Sequence, residues 1–386
     1  MVPMEPAPKN TNNLYWINNK KGEIHMTQVK ILGALVACLA IVSRADACTG
    51  ITLKSNDGAT IVARTMDWSG AEMNNMYTIV PRGHEQQSLL PDGSTNGLKY
   101  TSLYGYVGLA VQQPEFVVDG TNEAGLSAAL FYFPNYGEYI EYNEASKDIT
   151  LADFQVVSWI LSRFSTIDQV KEAINNVRIV NIDPSASTVH WRITEPNGRQ
   201  VVMEIVNGAP NFYENEVGVL TNSPGFEWQL TNLNNYVNLH PGTAGPTPFG
   251  PIRLRAFGAG SGFLGLPGDF TPPSRFVRAA FFSTYSIPQN TAYKAIEQSF
   301  HILNNFDVPL GIQFAIGSAP NNMPSATQWT VATDLKNMKI YYHTMYNRLI
   351  RRIDMTDIDF TSVPFQHHSL DIGTQQTIIP VKIDTK

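Results

Sequence analysis

The sequence predicts a layered α+β domain. Three observations predict it: antiparallel hairpin signals centred near residues 57, 197 and 336, pairs of helical segments between them, and no internal repeat or long linker that would divide the chain. With 43% hydrophobic and 11% aromatic residues the 386-residue chain can bury a large core, which excludes disorder as its overall state. Charged residues make up only 16% and the net charge is −6, without a long basic run, so a protein that tracks nucleic-acid phosphates is not expected.

Taken in order, residues 1–25 are polar and turn-rich and are expected to form an upstream extension outside the fold. From Met26 the chain has the three-part layout of a secretory signal. Lys30 supplies the positive region, Ile31 to Val42 the apolar run, and Ala45-Asp46-Ala47 the small-residue cleavage site. A membrane span needs about twenty apolar residues, which this run followed by Ser43, Arg44 and Asp46 does not supply. A second reading makes Leu35-Val36-Ala37-Cys38 a lipobox with Cys38 acylated. It would strand Leu39 to Val42 on the mature side, so cleavage of a 26–47 signal between Ala47 and Cys48 is favoured, giving a periplasmic or secreted domain over 48–386.

That cut changes the meaning of the cysteine count. The chain has two cysteines, Cys38 and Cys48, and the mature chain keeps one, as its first residue. Exported proteins use cysteine mainly in disulfides, so an unpaired thiol there is either a small buried hydrophobe or a reactive group. An amino-terminal cysteine carries a thiol nucleophile and an α-amine with a pKa of about 7.7 to 8.0, low enough to serve as its own general base.

The first hairpin places partners beside it. Cys48 to Lys54 reads as a strand, Ser55-Asn56-Asp57-Gly58 as a turn, and Ala59 to Met66 as the return strand. With the turn near Asp57, Cys48 falls opposite Thr65 to Asp67, which brings Arg64 and Asp67 next to the thiol. A cation there favours thiolate, and a carboxylate can orient an α-amine.

Further along, Leu151 to Phe164 and Ile167 to Val177 have helical spacing, with Thr150 and Ser165 or Thr166 placed as caps. Thr188 to Thr194 and Arg199 to Val206 flank the turn Glu195-Pro196-Asn197-Gly198 as a second hairpin. Asn235 to Pro273 is rich in Gly and Pro and reads as a long excursion. Arg275 to Ser286 and Thr291 to Asn304 form another helix pair, and Thr327 to Thr333 with Met338 to Thr344 a third hairpin.

Several other signals carry no function. Gly260-Ser261-Gly262-Phe263-Leu264-Gly265 spells a dinucleotide fingerprint but runs into Leu266-Pro267-Gly268 where a helix is needed. The eight histidines include no i, i+4 pair and no cysteine partner, so no metal site is expected; no cofactor is called for either. A serine hydrolase elbow, G-x-S-x-G, is missing from the sequence.

Cys48-Thr49-Gly50-Ile51 followed by Ala63-Arg64-Thr65-Met66-Asp67-Trp68-Ser69 resembles the start of the choloylglycine hydrolase family, which holds conjugated bile acid hydrolases and penicillin V acylases. Gly120-Thr121-Asn122-Glu123-Ala124-Gly125-Leu126, Leu220-Thr221-Asn222-Ser223-Pro224 and Pro273-Ser274-Arg275-Phe276-Val277-Arg278 follow in order, so the resemblance covers the chain beyond residue 47. It implies an α+β four-layer αββα sandwich of two antiparallel sheets flanked by helices, the N-terminal nucleophile (Ntn) hydrolase fold, and a homotetramer assembled partly through the excursion. It also implies a catalytic set: Cys48 as nucleophile, Arg64 and Asp67 as its partners, Asn222 as an oxyanion donor and Arg275 as an active-site arginine.

At the position six beyond Leu126, Gram-positive bile salt hydrolases carry asparagine, whereas this chain has Tyr132, as penicillin V acylases do; Tyr132 is expected to join the catalytic set, sitting over the tetrahedral centre and donating a hydrogen bond there from backbone or side chain. The expected reaction is hydrolysis of a linear amide with an apolar acyl group, penicillin V acylase-like. The alternatives are a conjugated bile salt hydrolase, an N-acyl homoserine lactone acylase, and an exported binding protein without catalysis. Trp68, Phe131, Phe133 and Tyr136 cluster near these blocks, and for them a substrate pocket and ordinary core are equally open readings.

Overall fold

The computed structural model describes residues 47–68, 73–183, 187–313, 326–376 and 378–383. The expected upstream extension, all of the signal segment but Ala47, and Ser69 lie outside the described residues.

Two large antiparallel sheets face each other. The first runs, in spatial order, Val219–Leu220, Ala47–Lys54, Thr60–Trp68, Ala326–Asp334, Lys339–Thr344 and Arg351–Asp354. The second runs Ala209–Glu214, Gln200–Val206, Val189–Thr194, Ser127–Tyr132, Val117–Asn122, Tyr106–Ala110, Met76–Val80 and Gln366–Ser369. Five α-helices are described: α1 (Val156–Arg163), α2 (Ile167–Ala173), α3 (Phe226–Asn232), α4 (Pro272–Tyr285) and α5 (Ala292–Leu303). Helix α1 covers the outside of the second sheet, over Val117–Asn122 and Ser127–Tyr132. Helices α4 and α5 cover the outside of the first, over Ala47–Lys54, Thr60–Trp68 and Ala326–Asp334. The result is the αββα layering, with apolar faces of both sheets between the helices.

The amino-terminal hairpin fixes the position of Cys48. Gly58 takes a left-handed φ of 82°, which closes the turn, and Ser55 Oγ bonds Asp57 and the Ala59 backbone across it. Register follows from that turn: Cys48 pairs with Met66 and Thr49 with Thr65. Sheet-to-sheet contact beneath Cys48 is close. A Cβ on Gly50 would lie 2.7 Å from the Phe131 ring and 2.8 Å from Arg192 Nη1, so only glycine fits there.

Helix α2 begins as expected at the Thr166 cap, where Thr166 and Gln169 form a reciprocal capping box. Helix α5 begins at the Thr291 cap, whose side chain accepts the Lys294 N–H. The segment expected to be helical from Leu151 differs. Thr150–Ala152 is a short strand parallel to Arg178–Val180, Asp153–Gln155 is a 3-10 turn, and α1 starts only at Val156. The cause is Asp153, whose Oδ1 accepts the N–H groups of Phe154 and Ile182 and ties this stretch sideways to the next chain segment. Within the 235–273 excursion lies a two-stranded hairpin, Thr247–Phe249 with Ile252–Leu254, whose Phe249 and Ile252 side chains are exposed. Among the described residues no helix is long and apolar enough to cross a membrane.

Candidate active site

Cys48 lies at the edge of the space between the sheets, 3% exposed. Four of the expected residues surround it. Arg64 Nη2 donates to Cys48 Sγ at 2.9 Å, and Asn222 Oδ1 accepts the Cys48 backbone N–H at 2.9 Å. Arg275 Nη1 donates to the Cys48 carbonyl and, at 3.0 Å, to Thr49 Oγ1, while its Nη2 donates to Asn222 Oδ1 at 2.7 Å. Asp67 accepts from Thr65 Oγ1 at 3.1 Å and Thr327 Oγ1 at 2.6 Å. Asn222 Nδ2 donates to the Tyr132 carbonyl at 2.8 Å, leaving the second hydrogen of that amide for another acceptor.

The arginines are buried charges, and buried charge is costly unless its hydrogens are satisfied. Arg64 meets this with backbone: Nη1 donates to the carbonyls of Leu130 (2.5 Å) and Val118 (3.1 Å), Nε to that of Thr65 (3.2 Å). Its guanidinium lies 4.2 Å from the centroid of the Phe131 ring. Arg275 Nε donates to Phe270 O at 2.8 Å, which locks the side chain as it leaves α4. A fork of five donors held this way cannot turn from the cysteine without breaking several bonds.

Electrostatics at the site are a contest between burial and these charges. Burial pushes the Cys48 thiol up from its ordinary value, and Arg64 pulls it back down, with Asp67 opposing and Arg275 assisting. Burial raises the Asp67 carboxyl to about 7 against the pull of Arg275, Thr327, Thr65 and Arg64. Arg275 is lowered to about 10, again by burial.

An apolar cavity opens from Cys48. Its walls are Met66 and Trp68 from the hairpin, Val118, Leu130 and Tyr132 from the facing sheet, Phe116 from the loop just before it, and Phe154 and Ile182 from the segment that Asp153 ties together. Gln112 and Asp183 add polar groups to the lining. Of the four candidate pocket aromatics, Trp68 lies on the wall. Phe131, Phe133 and Tyr136 lie elsewhere. Phe131 is fully buried beneath Arg64, Phe133 stacks on His190 with centroids 4.4 Å apart, and Tyr136 is 51% exposed beside Phe133. Strand geometry separates them: Leu130 and Tyr132 face the cavity, so residues 131 and 133 face the other way. Sequence reasoning missed Met66, Phe116, Val118, Phe154 and Thr327. Alternation along Arg64, Met66 and Trp68 could have found Met66; the others arrive from distant segments.

Residues 48–371 match the family described as linear amide C–N hydrolases, choloylglycine hydrolase family. A bile salt hydrolase/transferase of Clostridium perfringens is 34% identical over 316 residues, which is 80% of this chain and 92% of that protein. One from Bifidobacterium longum subsp. longum is 31% identical over 321 residues, 82% of this chain and 97% of that protein. Among solved structures, a mutant conjugated bile acid hydrolase from Clostridium perfringens matches with a TM-score of 0.75 at 30% identity, covering 87% of this chain and 100% of that one. Penicillin V acylase from Agrobacterium tumefaciens matches in fold with a TM-score of 0.68 at 24% identity, covering 85% of this chain and 92% of that one.

Proposed function

Since the chain belongs to the choloylglycine hydrolase family and is a hydrolase of carbon–nitrogen bonds in linear amides, we propose that it is exported, matured by cleavage between Ala47 and Cys48, and uses Cys48 as its nucleophile. The observation that supports this most is the grip on Cys48 from three sides: Arg64 on sulfur, Asn222 on nitrogen and Arg275 on the carbonyl. In a chain that begins at Cys48, the nitrogen now bonded to Asn222 Oδ1 is the α-amine.

Sulfur attacks the acyl carbon while the α-amine takes the thiol proton. The carbonyl oxygen becomes an oxyanion that receives the second Asn222 Nδ2 hydrogen and a hydrogen bond from the Tyr132 segment. The amine then passes its proton to the leaving nitrogen, the carbon–nitrogen bond breaks, and water releases the acyl group from sulfur with the amine again as base. Arg64 stabilises thiolate, Arg275 fixes the first residue, and Asp67 helps orient the amine.

The acyl group enters the apolar cavity. Tyr132 stands on its wall with Trp68, Phe116 and Phe154, which suits a flat aryl acyl group and favours a penicillin V acylase-like substrate. The names of the relatives at 34% and 31% identity favour a second reading, a conjugated bile salt. Steady-state rates with penicillin V, glycine- and taurine-conjugated bile acids and acyl homoserine lactones separate the readings. The first expects penicillin V to have the highest kcat/KM, and a bile salt in that place would establish the second. The exposed Phe249 and Ile252 of the excursion support assembly into a homotetramer, which light scattering of the mature protein checks.

A further inference from the structure

The strand Val189–Thr194 carries a histidine that this mechanism does not use. His190 is fully buried, and both ring nitrogens are committed. Nε2 lies 3.2 Å from the Thr221 carbonyl and Nδ1 lies 3.1 Å from Glu204 Oε1. The Thr221 carbonyl can only accept, so Nε2 is the donor to it, and Nδ1 faces the Glu204 carboxyl. Glu204 is itself buried, and its Oε1 also accepts the backbone N–H of Phe226 at 2.9 Å.

The importance of the pair lies in what it holds. Thr221 immediately precedes Asn222, and Phe226 opens α3 four residues after it. His190 and Glu204 therefore grip the Asn222 loop on both sides. Across the sheet, His190 pairs with Phe131 and stacks on Phe133, the two neighbours of Tyr132, whose carbonyl receives the Asn222 amide. The same imidazole thus sets both the backbone that carries Asn222 and the strand that orients its side chain. A buried ionisable pair contributes little to stability that apolar residues of similar volume would not, so its value is sought in geometry.

We infer that His190 and Glu204 are positioning residues that aim the Asn222 amide at the carbonyl attacked by Cys48. The inference rests on the reading of Asn222 as an oxyanion donor.

Two substitutions of the same side chain test it in the mature enzyme, with the best-cleaved amide of the panel above. His190→Gln puts an amide N–H near the former Nε2, within reach of Thr221. His190→Asn puts one near the former Nδ1 and leaves Thr221 without its donor. Both remove the imidazole and its stacking on Phe133 and differ in which partner they keep, and thermal denaturation of each variant reads its stability cost apart from kcat. The expected result is kcat within about threefold of wild type for His190→Gln and a loss of about tenfold or more for His190→Asn, with KM changed less than about twofold in both. In an Asn222→Ala background the His190→Asn loss should vanish, because no aimed amide remains. Equal losses in the two His190 variants, or an undiminished loss in the Asn222→Ala background, would overturn the inference. A wild-type kcat for Asn222→Ala alone would instead remove the oxyanion role beneath it. Should the His190 variants fail to fold, Glu204→Gln, which keeps an acceptor for the Phe226 N–H, should stay within about threefold in kcat, while Glu204→Leu loses about tenfold. Equal rates in those two would also overturn it.

Discussion

The two ends of the cavity are built from different forces. Around Cys48, the sulfur, nitrogen and carbonyl each have a named hydrogen-bond partner, and those partners are themselves held: Arg64 by three carbonyls, Asn222 by Arg275 and Tyr132, Asp67 by two threonines. Along the walls, Met66, Trp68, Phe116, Val118 and Leu130 offer mainly shape. Directional bonds tolerate few residue types, whereas an apolar surface can be assembled from many. Under the proposed mechanism the polar end specifies the reaction, and the walls specify the substrate.

If that division is right, substitutions at the polar end change the rate and those on the walls change binding. Cys48→Ala should abolish turnover while leaving the far-ultraviolet circular dichroism unchanged; retained turnover in a preparation free of wild type would break the division at its root. Asn222→Ala should slow acylation by about 10² to 10³, or ~2.7 to 4 kcal/mol in the barrier, read by rapid-quench kinetics. Arg64→Lys keeps the charge but not the fork that reaches sulfur and three carbonyls. Alkylation of Cys48 by iodoacetamide at neutral pH should slow by about tenfold as the thiol rises. Trp68→Ala should raise KM by about fivefold with kcat nearly unchanged, as expected of a wall residue whose lost contact weakens substrate and transition state alike.

The smallest effect concerns stability. Asp67 keeps its proton in the folded protein up to about 7, whereas the unfolded chain loses it in the ordinary carboxylate range. The folded state therefore binds the extra proton between those values, and stability contributed by this group falls as pH rises through that window. Asp153, also raised to about 7, and Asp119, raised to about 6, act in the same direction. Asp67→Asn should remove about one proton from the slope, ~1.4 kcal/mol per pH unit, in urea titrations across the window. An unchanged slope would mean that Asp67 is ionised when buried.

The polar end was legible in the sequence because local rules reach it. A turn at Asp57 and Gly58 sets the register, and the register puts Arg64 and Asp67 beside Cys48; the observed pairing of Cys48 with Met66 lies inside the expected window. Asn222 and Arg275 came from the family resemblance, since no local rule connects Val219–Leu220 or α4 to the first strand. Thr327, which holds Asp67, approaches from 260 residues away and left no mark. The walls were hardest to read. Nearness in sequence suggested Phe131 and Phe133, but strand alternation turns them toward Arg64 and His190 and leaves Tyr132 alone of that run on the cavity. The helix expected from Leu151 failed for a related reason: the side chain of Asp153 bonds a segment nearly thirty residues away and pulls the backbone into a strand and a tight turn.

Everything proposed for this site depends on Cys48 being both the first residue of the working chain and the residue that takes the acyl group. Intact-mass and peptide mass spectrometry of the purified enzyme, acid-quenched during turnover of its best substrate, tests both halves at once. The expected species is a chain that begins at Cys48 and carries the mass of the acyl group on that residue. A fully active chain that begins upstream of Cys48, or an acyl group found on any other residue, would contradict it.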